Sequence, residues 1–564
     1  MIRVDGSAAR MIAERLAAAD DDALAGLFAS RRLAPLAAPA TTWRDFFDAA
    51  ESLLQPEQIR LAVAALPRDT LAALASGEPR DLLALTDNDG KALPEVAAAL
   101  VDIDLTTTPA GAPAAADDAS SSYAAERAFS TISAIADIVF GSLARPLTRV
   151  ASGALGASEK RRLVEQEIAS DSEEADALVR LATHTGLMRG HDGHISTTSV
   201  GAAWVQKPTP RRWEMLAERF RDVLPAGLRD GNGWIDPALW SGAYPLDPEW
   251  PVTAERLLAF ARLMGLLPPG HVPAETPWAR PLREGKAADA GQLITLLPHE
   301  VDRLYLQNDL TAISPGPLAP HLDVRLRAMT QRESRAQAST YRFTERTIAA
   351  ALSSGETADS IREFLNELSL TGVPQPLEYL IERTDDQHGL VRVSIAPDGG
   401  HTVISSPDHD MIRTLAVDQS LSSLALLPDG ALLRTRATRN VAYWALTDAR
   451  YPVVALDEDG DVIALNRHRL APDPEPRAGF GELIERLRNS EGSDADAAWL
   501  KRELDSAVKD RAIIALEINM PDGSVRELTV EAAGLGGGRL RGRDAKADVE
   551  RTLPVGLIRS MRRI

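Results

Sequence analysis

Arginine is the residue whose spacing in this chain invites chemistry, and that chemistry is contact with phosphate. Its planar guanidinium presents five donors in a fork that fits phosphate or carboxylate oxygens. Two stretches concentrate it. Between residues 321 and 347 six arginines face three acids, Asp323, Glu333 and Glu345. Arg325, Arg332 and Arg335 lie along one edge of an apolar helical face if the helix begun by Leu318 and Leu322 persists that far, and Arg342 follows in a short strand. Between Arg539 and Ile564 eight lysines and arginines face Asp544, Asp548 and Glu550, and Arg539, Arg541, Arg543, Arg551 and Arg559 belong to this tail. Two readings stand for each group. The central arginines either tie helix to sheet in an ion-pair cluster or contact a nucleic-acid backbone. The terminal ones either guard a solvated sheet edge or form a nucleic-acid footprint.

Other chemistry finds no support. Neither Gly90-Lys91 nor Gly285-Lys286 has the upstream glycine and following Ser or Thr of an ATP-cradling loop, so no helicase motor is expected. The glycines near Gly534 miss the dinucleotide-loop spacing. There is no G-x-S-x-G, no H-E-x-x-H and no carboxylate pair placed as acid and base. With no cysteine, disulfides and thiolate sites are excluded. His191 and His194 flank a turn, with His184 nearby, but a metal needs a third donor and converging geometry. Asp457, Asp459 and Asp461 fail the calcium-loop register, because counting back from Gly460 puts Ala455 first. A hairpin turn at Asp459-Gly460 fits better. The expectation is a protein that is not itself an enzyme, with no catalytic residues, cofactor or metal.

The chain has 564 residues, enough for roughly three to five domains with real cores. Its 45% hydrophobic and 25% charged content is that of an ordinary soluble protein. A net charge of −19 opposes diffuse binding to nucleic acid, so a nucleic-acid role needs a local basic face. The first residues lack the basic start and apolar core of a signal peptide. No run of 18 apolar residues exists, so no membrane partner is expected and the cytoplasm is the default location.

The elements around the arginines follow from periodicity. Residues 1–105 read as helices, and 106–122, rich in Pro, Ala and Ser, as a linker. Residues 123–290 read as a winged-helix-like and helical region. Its third helix has Ser170 and Glu173 in capping-box positions and Leu178, Leu181 and Ala182 on one face, and Asp192-Gly193 turns the wing. Glu173, Glu174 and Asp176 at the start of that helix repel phosphate, which favours packing or protein contact over groove reading. Trp213, Trp234, Trp240, Tyr244 and Trp250 have few cations among them and read as core. Residues 471–479 form a second linker, and 480–564 two helices and then strands.

Residues 291–470 carry the most specific pattern. Leu304 and Leu306, then Leu310 and Ala312, alternate as in half-buried strands. Thr344 is placed to cap a helix, and Ile361, Phe364, Leu365 and Leu368 make one face of the next. YLQNDLTAISPGPLAP, RLRAMTQRESRAQASTYRFT and FLNELSLTGVPQPLEYLIER resemble the helicase-associated proteins of actinobacteria, whose core domain is similar to the N-terminal domain of XPB-type helicases. AIIALEINMPDGSVRELTV, GRLRGRDA and ERTLPVGLIRSMRRI look like a degenerate WYL domain, a small β-barrel, though the Trp-Tyr-Leu signature itself is absent. These resemblances imply an α+β multidomain fold: a helical N-terminal region, a winged-helix-like domain, an α/β helicase-associated domain and a small C-terminal β-barrel. They imply a non-catalytic accessory factor that binds DNA or other nucleic acid in DNA repair or transcription. The alternatives are a scaffold for a helicase or polymerase partner without direct DNA contact, or a ligand-sensing regulator working through the barrel.

Overall fold

Asp117 accepts a hydrogen bond from the Ser120 amide at 2.7 Å and so caps a 27-residue helix, α1 (Asp118–Ala144). The expected linker thus ends five residues early. The structure, a computed structural model, describes residues 6–101, 103–106, 113–270, 274–334, 339–396, 400–463, 465, 470–473, 479–490, 495–520 and 524–564. The chain is α+β, about 48% helix, with several small sheets, none of them closed into a barrel.

Small residues let α1 be approached from all sides. Ala124, Ala125, Ala128, Ile132, Ile135 and Val139 are buried in the largest of five hydrophobic cores among the described residues. Among those residues it is the one helix long and apolar enough to cross a bilayer. Strand β1 (Leu147–Thr148), helices α2 (Ala157–Glu165) and α3 (Ser172–His184), and a hairpin, β2 (Met188–His191) with β3 (His194–Thr197), follow it. The sheet order is β1-β3-β2. Asp192 and Gly193 both take positive φ, 43° and 75°, the mirror-type turn that suits a twisted hairpin. The cap of α3 lies one residue later than expected: Asp171 accepts from the Glu173 and Glu174 amides at 2.9 and 2.8 Å. Tryptophans complete this core, and several have their N–H satisfied by backbone carbonyls. Trp213 donates to the Met264 carbonyl, Trp240 to Ile235 and Trp250 to Trp240, at 2.9, 3.0 and 2.7 Å. A further helix, α4 (Trp250–Leu263), lies against α1.

The segment from Leu304 forms a four-stranded antiparallel sheet and four helices. The strands β4 (Tyr305–Leu306), β5 (Thr311–Ser314), β6 (Gln331–Ser334) and β7 (Ser339–Arg342) lie in the order β6-β7-β5-β4. The helices are α5 (Pro320–Ala328), α6 (Glu345–Ser353), α7 (Ala358–Leu368) and α8 (Gln375–Gln387). Ile361, Phe364, Leu365 and Leu368 are all buried, as their spacing implies. Arg332 is not helical, however. Met329 ends α5, and Gln331–Ser334 pairs with Ser339–Arg342, so strand pairing overrides the apolar spacing. Thr344 caps α6 in a reciprocal box with Thr347. Thr344→Ala is expected to cost α6 about 1 kcal/mol, and Thr344→Gly only a few tenths, measured by hydrogen exchange in that helix.

A second core follows within the stretch read as one unit. It lies under a six-stranded sheet in which Val391–Ile395 and Val453–Leu456 are the one parallel pair.

Helix α9 (Gly481–Asn489), read from sequence as part of the C-terminal region, lies in the N-terminal core instead. Leu483, Ile484 and Leu487 are buried among Phe28, Trp43 and Leu54, and the Arg488 guanidinium donates to the Ala17 and Ala19 carbonyls at 3.0 and 2.6 Å. Helix α10 (Ala495–Asp510) then covers one face of a five-stranded sheet. Its strands are β8 (Ile513–Asn519), β9 (Val525–Gly536), β10 (Arg539–Asp544), β11 (Glu550–Pro554) and β12 (Ile558–Arg563). Their order is β11-β10-β9-β8-β12. The edge strands β11 and β12 do not pair with each other, so the expected barrel is an open sheet, and its ligand-sensing role loses its enclosed cavity. The Asp522-Gly523 turn and the middle of the second linker lie outside the described residues.

Candidate nucleic-acid interface

A strand turns alternate side chains to opposite faces. In β10 this exposes Arg539, Arg541 and Arg543 and buries Leu540, Gly542 and Asp544. Neighbours on the exposed face are roughly 7 Å apart. Arg543 Nε reaches Asp548 Oδ1 at 2.6 Å, with both groups exposed, and Glu531 and Glu550 stand opposite it in register. A surface pair of this kind neutralises charge at little gain in stability. Among the described residues Arg539 and Arg541 have no carboxylate partner.

Arg551 and Arg559 do not join them. Arg551 pairs in register with Gly542, on the opposite face, and its Nε donates to Asp544 Oδ2 at 2.8 Å. The Ala547 amide, the Arg551 side chain and the Lys546 amide together hold the Asp544 carboxyl below its usual range. Arg551 therefore serves the fold. Arg559 is exposed on the far edge strand, three strand spacings or about 14 Å from β10. Glu517, Glu527 and Glu531 are exposed on the intervening strands.

Four of the six central arginines, Arg325, Arg327, Arg332 and Arg342, are taken up by carboxylates, while Arg346 is exposed. Arg325 grips Glu356 with both arms at 2.8 Å and lies 4.4 Å from the Phe364 ring centre. That pairing holds the Glu356 carboxyl below its usual range. Arg342 donates to Glu333 at 3.1 Å and to the Asp309 carbonyl at 3.2 Å. Arg332 reaches Asp137 on α1 at 3.3 Å and Ser339 at 2.8 Å. Arg335 lies outside the described residues. Of the two readings of this group, the ion-pair cluster is the one seen for Arg325, Arg332 and Arg342.

The residue that anchors the cluster was not singled out in the sequence. Arg327 Nη1 is 2.6 Å from Asp137 Oδ1 and 3.5 Å from Asp323, and its guanidinium lies 4.3 Å from the Phe140 ring centre. Burial opposes its charge, but Asp137 and Asp323 outweigh burial and hold the guanidinium charged. Tyr341 donates to Asp323 at 2.6 Å, and burial with that carboxylate pushes the phenol far above its ordinary value. This polar seam joins α1 to the segment carrying α5 and β6. The signal for it is Asp137 itself, the one acid in the apolar half of α1, since a buried carboxylate needs a partner.

The acids at the start of α3 are also engaged. Glu174 pairs with Arg127, and Asp176 with Lys160 at 3.0 Å and with Arg180. Among the described residues no group of three or more His, Asp or Glu could hold a metal ion.

Residues 304–427 match the family model described as helicase conserved C-terminal domain. The match covers the four-stranded sheet, α5 to α8 and the first strands of the six-stranded sheet. No curated protein matches the chain. Residues 304–427 are thus similar to a helicase domain, and the exposed pair Arg539 and Arg541 lies outside them, on the terminal sheet.

Proposed function

We propose that this protein is a non-catalytic, helicase-associated accessory factor that binds nucleic acid through the exposed face of β10. One observation carries the reading: Arg539 and Arg541 stand side by side, exposed and without a carboxylate, in a chain whose net charge is −19. Cations left unpaired in so acidic a chain mark where phosphate is tolerated. In this reading the central region corresponds to the domain similar to the N-terminal domain of XPB-type helicases, and the terminal sheet to an opened-out WYL-like unit. Repair or transcription in the cytoplasm is the setting.

Strand binding across a salt series tests the proposal. Labelled single and double strands should bind at 50 mM salt with an affinity falling linearly in log salt, with a slope of about −2 for two to three phosphate contacts. No detectable binding at low salt, or binding indifferent to salt, refutes it.

A scaffold reading has its own support. Helices α1, α2 and α3 with the β1-β3-β2 sheet have the element order of a winged helix, and the acidic start of α3 is tied into ion pairs rather than offered to a groove. Exposed Leu370 and Tyr379 add apolar surface on the central region. Retention of a helicase or polymerase partner after nuclease treatment, with no strand binding, favours this second reading.

A further inference from the structure

Helix α3 turns Asp176, Arg180 and His184 to one side, at spacings of four residues. Helix α4 brings Arg256 and Phe260 toward them, the hairpin supplies Gly190, and the residue after β1 is Arg149. Together they line an open cleft of about 280 Å³. Small-ligand pockets begin near about 300 Å³, so this volume suits a small ligand.

Its charge is unusual for the molecule. Arg149, Arg180 and Arg256 line it against one carboxylate, Asp176. Asp176 is already held by Arg180 and by Lys160. Among the described residues Arg149 and Arg256 have no carboxylate partner. Among the described residues Arg256 makes one side-chain bond, a long one of 3.4 Å to Thr253. Leu155, Val179, Ile195 and Phe260 give the cleft an apolar wall. His184 packs 5.5 Å from the Phe260 ring, and its buried Nε2 has no hydrogen-bond partner. Burial and then Arg256 lower the pKa of His184, so at neutral pH the ring is uncharged and one nitrogen is a donor.

We propose that this cleft binds a phosphomonoester dianion, with its phosphate among Arg149, Arg180 and Arg256 and its organic part against the Phe260 wall. Three guanidinium groups against one carboxylate leave two positive charges, the complement of a dianion. The ester can be a free small molecule or the phosphorylated end of a nucleic-acid strand. The proposal is independent of the reading of β10, which lies on another core.

Calorimetry on the full chain tests it, with inorganic phosphate as probe. Saturable binding is expected, weakened tenfold or more by Arg256→Ala, an exposed helical position whose loss leaves the core intact. Gly190→Ala is the second variant. A Cβ there would stand 2.5 Å from Arg149 Nη1, so the flexible guanidinium must leave while the strand, at an ordinary φ, stays. It should weaken phosphate several-fold without changing thermal unfolding. A trinucleotide with and without a 5′-phosphate separates the two sources. Tighter binding of the phosphorylated form than of inorganic phosphate assigns a strand end, and no gain assigns a free phosphate ester. Absent saturation by phosphate, or unchanged affinity in both variants, overturns the proposal.

Discussion

Asp137→Ala lowers stability by about 3 to 5 kcal/mol, the range for breaking a buried ion pair from one side. The substitution removes the carboxylate that Arg327 and Arg332 share. Arg332 is cushioned, since it is partly exposed and keeps Ser339. Arg327 is not. Its side chain is 13% exposed, and its remaining acid, Asp323, is 3.5 Å away and also accepts from Tyr341. An uncompensated charge in that seam costs more than the lost pair gained, because desolvating it is no longer offset. The double variant Asp137→Ala with Arg327→Met should therefore recover most of the loss, as an apolar replacement of both partners does. Because the chain has several cores, one unfolding free energy does not describe it. Hydrogen exchange in α1 and α5 is the suitable measurement. Equal protection in the wild type and Asp137→Ala would show that the seam contributes nothing.

That seam also marks where sequence reading stops. Local chemistry is legible: Thr344 caps α6, Asp192-Gly193 turns the hairpin, and Ile361 to Leu368 bury one helical face, each decided within a few residues. Strand β6 is not, because Gln-Arg-Glu-Ser has no apolar alternation, and what makes it a strand is its partner, Ser339–Arg342. The return of α9 to the N-terminal core is further out of reach. Arg488 meets carbonyls 471 and 469 residues away, and an amphipathic helix names the face it buries but not its partner. The arginines follow the same logic. Composition found both basic stretches. Only the tertiary fold decides which guanidinium meets a carboxylate, so Arg325, Arg332 and Arg342 are spoken for while Arg539 and Arg541 are not.

From that difference comes the contrast that bears most on function. Arg539→Glu with Arg541→Glu should weaken strand binding roughly 100-fold at 50 mM salt and flatten the salt slope by about 1 to 2. Each phosphate contact on duplex contributes about 0.9 to that slope, acting over about 1.3 log units below 1 M salt. Reversing the sign adds repulsion from the carboxylates already exposed on β9 and β8, Glu531, Glu527 and Glu517. Folding should hardly change, since neither arginine has a carboxylate partner among the described residues. Arg325→Ala is the control with the opposite signature. It frees Glu356 and uncovers Phe364, so it should lower stability and leave the salt slope alone. If instead Arg325→Ala flattens the slope while the β10 double variant binds like the wild type, the interface lies on the central region. In that case the pairing of Arg325 with Glu356 is a resting state that nucleic acid displaces. A carboxylate already bonded at 2.8 Å by both arms competes directly with phosphate for the same donors. For that reason Arg539 and Arg541 of β10, which have no such competitor among the described residues, are the stronger place to look.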